Sequence, residues 1–207
     1  MIVIADYQAG NLASVLAAFL AAGADARIAR DAEAAEGAAG IVVPGVGHFA
    51  ATERLGGEWR DAIRRHVDVG RPLLGICLGM QWLFEASEEA PGRRGLGVFR
   101  GTCARLPARD PRTEERVKVP HVGWNAVEET HPSRALAGVA GQPRPYFYFT
   151  HSYAAPECEE CVAVTEHGSR FPAVVERGRV WGMQFHPEKS GEAGLQVLRN
   201  FVRLVQV

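Results

Sequence analysis

The chain has 207 residues, enough for one domain with a full hydrophobic core. Hydrophobic residues make up 47% of the chain and charged residues 23%, and the formal net charge is −1. This balance is ordinary for a globular protein, and it provides no broad electrostatic field that would attract nucleic acid or an anionic membrane. We therefore expect neither among the partners of this protein.

The N-terminal segment and the cysteines favour a cytoplasmic protein. The first residues, 1–6, lack a basic region, and their apolar run stops after five residues. Such a run is too short for a signal peptide or a membrane span. The four cysteines are Cys77, Cys103, Cys158 and Cys161. So few cysteines in a chain of this length do not indicate a disulfide scaffold, and a reducing compartment would suit a free catalytic thiol.

Short apolar runs alternate with helical patterns through the first half of the chain. We predict strands at 2–5, 26–29, 40–43 and 73–76, and helices at 12–22 and 58–69. Strand–helix–strand alternation is typical of a parallel sheet covered by helices on both faces. The predicted fold class is α/β, with a flavodoxin-like, mostly parallel mixed sheet.

The second half has a different pattern. Residues 86–118 are rich in Gly, Arg and Pro and predict loops, with a strand near 99–106. Runs at 146–150, 173–175 and 180–185 predict additional strands, and their short connections favour antiparallel pairing. An amphipathic helix is predicted at 195–207. Because no repeat or linker interrupts the chain, residues 1–207 are expected to form a single domain.

A cysteine flanked by glycines is the first candidate for catalysis. The predicted strand 73–76 runs into Gly75-Ile76-Cys77-Leu78-Gly79 and then into a helical pattern. This is the nucleophile-elbow pattern with Cys in place of Ser. Glycines two residues before and after the nucleophile avoid a steric clash in the tight turn, and the N–H of Leu78 could stabilise an oxyanion. A buried, inert cysteine used only for packing is the alternative.

A histidine and a glutamate far downstream strengthen the catalytic interpretation. His186 and Glu188 lie two residues apart, so in an extended segment their side chains would point to the same side. The glutamate could then orient one imidazole nitrogen while the other faces Cys77, as in a nucleophile–base–orienter triad. Alone, His186 would be read as a surface histidine. Its combination with the elbow cysteine favours a Cys77–His186–Glu188 triad.

Four segments together resemble the class I, or triad, glutamine amidotransferases over nearly the whole chain. They are residues 43–47 (VPGVG), 75–81 (GICLGMQ), 150–153 (THSY) and 184–188 (QFHPE). Within that family, the segments 6–11 (DYQAGN), 44–47 (PGVG) and 118–125 (KVPHVGWN) are most similar to the glutaminase subunits of imidazole glycerol phosphate synthases. The resemblance implies hydrolysis of L-glutamine through a cysteinyl thioester, with no metal or organic cofactor.

The resemblance also implies roles for further residues. The loop Gly45, Val46 and Gly47 would supply the second oxyanion donor and would need to reorient first. The glutamine substrate would contact Gln81 and the segment His151, Ser152 and Tyr153. Taken alone, residues 44–47 would be read as a tight turn, and the alternatives for Gln81 and 151–153 are a polar helix residue and a strand-to-loop turn.

An acceptor enzyme is implied as well, because ammonia released into water would be wasted. The resemblance indicates a heterodimer with a cyclase subunit of the (β/α)₈-barrel type, which would make imidazole glycerol phosphate and aminoimidazole-carboxamide ribotide. Asn11, Trp124 and Lys189 are the predicted interface residues. For Trp124, a position in the core is an equally good interpretation, and Lys189 could be a solvated lysine.

Other functions are less consistent with the sequence. The Cys158-x-x-Cys161 spacing has no second ligand pair, so a zinc or redox site is disfavoured and a loop is expected. A stand-alone cysteine hydrolase or chaperone on the same scaffold would not need His-Pro-Glu downstream. An intact triad argues against a catalytically silent scaffold. A sibling amidotransferase serving another synthase would differ mainly in its partner surface.

Overall fold

A computed structural model describes residues 1–139 and 144–207 of the chain. The strands are β1 (Ile2–Ala5), β2 (Ala26–Ala29), β3 (Gly40–Val43), β4 (Leu73–Ile76), β5 (Ala86–Ser87), β6 (Thr102–Arg105), β7 (His121–Ala126), β8 (Glu128–Glu129), β9 (Tyr146–His151), β10 (Tyr153–Ala154), β11 (Cys161–Glu166), β12 (Arg170–Arg177) and β13 (Val180–Met183). The helices are α1 (Leu12–Ala21), α2 (Glu33–Glu36), α3 (Glu58–Asp68), α4 (Leu78–Leu83) and α5 (Gly191–Gln206), and 3₁₀ turns cover Phe49–Leu55 and Pro187–Lys189.

An eight-stranded mixed sheet forms the centre of the molecule, in the order β2-β1-β3-β4-β13-β12-β11-β8. The first five strands are mutually parallel, and β12, β11 and β8 continue the sheet in antiparallel fashion. The predicted α/β class with a mostly parallel sheet and added antiparallel strands is confirmed. The order of the parallel part is that of flavodoxin-like folds, in which ligands bind beyond the carboxyl ends of the strands.

Helices cover both faces of this sheet because successive strand residues point to opposite sides. In β1, Val3 packs with α2, α3 and the 3₁₀ turn Phe49–Leu55, whereas Ile4 packs with α1 and α5. All four residues of β1, β3, β4 and β13 are buried. Their near-continuous hydrophobic character is therefore a consequence of burial on two faces.

Two predictions about the second half were incomplete. The strand at 180–185 ends at Met183, and it pairs parallel with β4 on one side and antiparallel with β12 on the other. The predicted strand at 146–150 is β9, which leaves the central sheet and forms a separate antiparallel pair with β7. Periodicity could not show either pairing, because it indicates which face of a strand is buried and not which strand lies beside it.

Several elements were not predicted from the sequence. Strands β7 and β11 were missed, and Cys161 begins β11 instead of lying in a loop. The closing helix starts four residues earlier than expected, at Gly191. None of the helices in the described ranges 1–139 and 144–207 is long and apolar enough to cross a membrane.

Candidate active site

Cys77 occupies a strained turn between β4 and α4, as the elbow pattern predicted. Its backbone has φ +51° and ψ −106°, a left-handed conformation that is rare for a residue with a side chain. The N–H of Cys77 donates a 2.7 Å hydrogen bond to the carbonyl oxygen of Met183, at the end of β13. Strands β4 and β13 therefore hold the turn at the carboxyl edge of the parallel sheet.

The glycines on either side of the elbow are sterically required. A Cβ atom on Gly75 would lie 2.7 Å from the carbonyl oxygen of Gly79. A Cβ atom on Gly79 would fall directly on the carbonyl oxygen of Val43, in the neighbouring strand β3. Both obstacles are backbone atoms, which cannot move aside as a flexible side chain would. The close packing of the elbow therefore depends on the absence of these two side chains.

We expect Gly79→Ala to lower the free energy of unfolding by about 3 kcal/mol or more, because overpacking against backbone forces the strand and helix apart. Denaturant unfolding followed by circular dichroism measures this change. Gly37→Ala is the matched control, since Gly37 has φ −94° and no atom within 4 Å of an added Cβ. Equal stability of the two variants would contradict the steric argument.

His186 and Glu188 form a buried pair beside the elbow. Nδ1 of His186 lies 2.8 Å from Oε1 of Glu188, and the two side chains are 2% and 3% exposed. His186 itself is extended, but Pro187–Lys189 form a 3₁₀ turn. The carboxylate is thus brought back to the imidazole by a turn, and the extended segment assumed from the sequence was wrong. The backbone N–H of His186 donates to the carbonyl oxygen of Tyr148 and holds this residue beside β9.

The charges around His186 stabilise its cationic form. Burial by itself lowers the pKa of His186, since it disfavours the cation. The Cys77 thiolate, followed by the Glu188 carboxylate, raises that pKa, and together they outweigh burial. Nε2 of His186 is buried and has no hydrogen-bond partner within the described residues. An imidazolium held here would in turn stabilise a thiolate on Cys77.

The predicted oxyanion loop lies against the elbow with its carbonyl groups inward. The N–H of Leu78 donates to the carbonyl oxygen of Gly45 at 3.4 Å, and the hydroxyl of Tyr7 donates to the carbonyl oxygen of Pro44 at 2.7 Å. Burial and the nearby Cys77 raise the pKa of Tyr7, so its hydroxyl keeps its proton. Gly47 has φ +100°, and Val46 is partly exposed. In this arrangement the N–H of Leu78 is hydrogen-bonded to the carbonyl oxygen of Gly45 and is not free to bind an oxyanion.

The residues predicted to bind glutamine lie close to Cys77, but two of them have protein partners. Nε2 of Gln81 donates to the carbonyl oxygen of Tyr153 at 2.7 Å and to Oε1 of Gln184 at 3.2 Å. Nδ1 of His151 lies 2.9 Å from the same Tyr153 carbonyl oxygen. Ser152 and Tyr153 are only partly buried. We therefore expect Ser152 and Tyr153, more than the ring of His151, to contact the substrate.

Behind this segment, a buried histidine pair was not predicted from the sequence. Nε2 of His151 lies 3.1 Å from Nδ1 of His121, whose Nε2 lies 3.3 Å from the side-chain amide of Asn125. Burial, and then His121, lower the pKa of His151 to about 3; burial, and then His167, lower that of His121 to about 4. Both rings are therefore neutral at neutral pH. Only the antiparallel pairing of β7 with β9 brings them together.

The three predicted interface residues lie on the surface. Asn11 caps α1, where its side chain accepts a hydrogen bond from the N–H of Ser14. Trp124 is 57% exposed and packs edge-on against Tyr148, which excludes the alternative that it is a core tryptophan. Nζ of Lys189 lies 5.7 Å from the centroid of the Tyr148 ring. Trp124 and Lys189 therefore both lie against Tyr148.

The other cysteines make no hydrogen bond with Cys77 in the described part of the chain, and Sγ of Cys103 lies 3.8 Å from the backbone carbonyl oxygen of Gln81. Cys103, Cys158 and Cys161 are free, and Cys103 and Cys161 are buried. Burial raises the pKa of Cys158 to about 12 and that of Cys161 to about 11, so both are poor nucleophiles at neutral pH. Within ranges 1–139 and 144–207, no group of three or more His, Cys, Asp or Glu side chains is arranged to hold a metal ion.

Comparison with known proteins is consistent with this geometry. The family described as glutamine amidotransferase class-I matches residues 3–205. This chain belongs to that family. It is 49% identical to the imidazole glycerol phosphate synthase subunit HisH of Halobacterium salinarum, over 97% of this chain and 92% of the relative. It is 43% identical to the HisH subunit of Methanothermobacter thermautotrophicus, over the full length of both.

Solved structures share the fold of this amidotransferase. A crystal structure of a glutamine amidotransferase superposes with a TM-score of 0.74 at 21% identity and covers 100% of both chains. The glutaminase domain of Trypanosoma brucei CTPS with bound acivicin superposes with a TM-score of 0.68 at 19% identity, over 99% of this chain and 93% of that domain. At these identities the likeness establishes the fold alone.

Proposed function

We propose that this chain is the glutaminase subunit of an imidazole glycerol phosphate synthase, which hydrolyses L-glutamine and passes the ammonia to a cyclase subunit. The observation that supports it most is the buried His186–Glu188 pair at the elbow cysteine. The synthase assignment is supported by full-length similarity to HisH subunits. We also propose that residues 1–207 act as a single domain, and that the protein works in the cytoplasm, where its four free cysteines would stay reduced.

The proposed reaction proceeds in two stages at Cys77. The thiolate attacks the side-chain amide carbon of glutamine, and the negative charge moves to the amide oxygen. His186 donates its proton to the amide nitrogen, the carbon–nitrogen bond breaks, and ammonia leaves a γ-glutamyl thioester. Neutral His186 then accepts a proton from water, which attacks the thioester and releases glutamate. Glu188 holds the imidazole in place and stabilises its cation.

The oxyanion of these intermediates requires a change in the loop 45–47. The N–H of Leu78 now donates to the Gly45 carbonyl, so that donor becomes available only when the carbonyl turns away. The same rotation would direct the N–H of Val46, which shares a peptide group with that carbonyl, toward the substrate oxygen. We propose that the resting enzyme is therefore weakly active. The hydroxyl of Tyr7, which holds the carbonyl of Pro44, stabilises the resting arrangement.

The proposed partner surface is an exposed apolar patch on the β7/β9 pair. Val122, Trp124 and Tyr146 each expose more than half of their area on this pair. An exposed tryptophan within such a patch is typical of an interface anchor. Strand β9 also reaches the nucleophile, since the carbonyl oxygen of Thr150 lies 3.8 Å from Sγ of Cys77. A cyclase of the (β/α)₈-barrel type docked here could therefore influence the site directly.

The decisive experiment measures glutaminase activity of the chain alone, with a cyclase subunit, and with the cyclase and its nucleotide ligand. We expect a low rate alone, copurification with the cyclase, and strong stimulation by the ligand. Trp124→Ala should weaken binding of the cyclase, whereas Leu20→Ala, at a similarly exposed position on α1, should not. Full activity of the isolated chain would contradict the loop proposal. Stimulation by a different synthase would identify a sibling amidotransferase.

A further inference from the structure

Gln184 lies against the catalytic sulfur, and the proposed mechanism assigns it no role. Its side chain is fully buried, with Nε2 3.7 Å from Sγ of Cys77. On its other side, Oε1 accepts a hydrogen bond from Nε2 of Gln81. Gln184 follows the last residue of β13, the strand that also receives the N–H of Cys77. It is therefore held on the same rigid support as the elbow.

The surrounding hydrogen bonds determine which end of the Gln184 amide faces the sulfur. The carbonyl oxygen of Tyr153 can only accept, so Gln81 must present its NH₂ group there. The second hydrogen of that NH₂ group points to Gln184, which must offer its oxygen. The NH₂ group of Gln184 is then left facing Cys77. The reverse orientation would place two NH₂ groups against each other.

The sulfur of Cys77 thus has neighbours that favour opposite protonation states. The carbonyl oxygen of Thr150, 3.8 Å away, can accept only from an S–H and therefore stabilises the neutral thiol. The NH₂ group of Gln184 donates, and a donor stabilises a thiolate more than a thiol. Because the site is buried, each of these interactions is stronger than it would be in water.

We propose that Gln184 is a positioning residue that donates a hydrogen bond from Nε2 to the Cys77 sulfur, which holds the sulfur as a thiolate directed at the substrate. Gln81 and the Tyr153 carbonyl fix the orientation of the Gln184 amide. A change in the conformation of the segment 151–153 would therefore alter the hydrogen bond to the Cys77 sulfur, because the side-chain amides of Gln81 and Gln184 connect the two. The consequence for glutamine hydrolysis rests on the proposed function, whereas the effect on the thiolate does not.

The test is a pH titration of the Cys77 thiolate by its ultraviolet absorbance in the full chain. Each spectrum is taken as the difference between a protein and its Cys77→Ser counterpart, so that the other three cysteines cancel. Gln184→Met keeps the shape of the side chain and removes the donor. We expect its midpoint of thiolate formation to rise by about one pH unit, a tenfold change in the thiolate fraction below the midpoint. Gln206→Met, at an exposed position, should leave the midpoint unchanged.

Gln184→Glu provides a second measurement if Gln184→Met does not fold. It keeps an oxygen for Gln81 but turns a carboxyl oxygen toward the sulfur, so its midpoint should also rise. An unchanged midpoint in either variant, with a native circular dichroism spectrum, would overturn the proposal. If the midpoint shifts but the wild-type chain hydrolyses no glutamine with any synthase partner, the proposed function fails while the role of Gln184 stands.

Discussion

Cys77→Ala is expected to abolish glutamine hydrolysis and to leave ammonia-dependent synthesis by the cyclase subunit intact. Removal of the nucleophile of a triad typically reduces kcat by a factor on the order of 10⁴ or more. The thioester cannot form without Sγ, and no other cysteine is expected to replace it, because burial raises the pKa of Cys103, Cys158 and Cys161 and keeps them as thiols. The fold should survive, since the alanine removes only one sulfur atom from a buried turn.

The assay combines the chain with the cyclase and supplies either glutamine or an ammonium salt. Wild-type complex should use both nitrogen sources, and the Cys77→Ala complex should use ammonia alone. Cys158→Ala is a suitable control, because Cys158 is a half-buried cysteine far from the elbow in sequence and should leave both activities unchanged. Residual hydrolysis by Cys77→Ala would show that the proposed mechanism is wrong.

Glu188→Gln is expected to reduce kcat by about 10²- to 10⁴-fold and to move the alkaline limb of the pH profile to lower pH. The Cys77 thiolate and, after it, Glu188 raise the pKa of His186 above its usual value, against the effect of burial. In the proposed mechanism, the imidazolium that protonates the amide nitrogen therefore persists above the ordinary pKa of histidine, and we expect activity to be lost as the pH rises through the raised value. Without the carboxylate, the pKa of His186 falls and the loss begins earlier.

Measurement of kcat/KM against pH, with the cyclase present, checks this prediction. Glu192→Gln is the matched control, because Glu192 is an exposed glutamate at the start of α5 that pairs only with Arg199 in the described structure. The control should reproduce the wild-type profile. An alkaline limb at the same pH in Glu188→Gln and wild type would mean that Glu188 does not support the charge on His186.

Local patterns were enough to predict most of the first half of the fold. The strands at 2–5, 26–29, 40–43 and 73–76 lie where the apolar runs indicated, because a strand buried on both faces has a continuous hydrophobic sequence. The helices at 12–22 and 58–69 were each predicted one residue too long, at their C-terminal ends. The short connections correctly indicated antiparallel pairing of β12 with β13, but the pairings of β13 with β4 and of β7 with β9 join residues that are distant in sequence, so periodicity could not predict them.

The elbow shows what the sequence determined by itself. Gly75, Cys77 and Gly79 predicted a tight strand-to-helix turn, because steric exclusion around a turn is a property of neighbouring residues. The family motifs likewise indicated glutamine as substrate. The tertiary structure decided three other points: the turn that brings Glu188 back to His186, the carbonyl of Gly45 on the N–H of Leu78, and the contact of Gln184 with the sulfur. These depend on the segments that follow β3 and β13 and on β9, which long-range packing brings to one edge of the sheet.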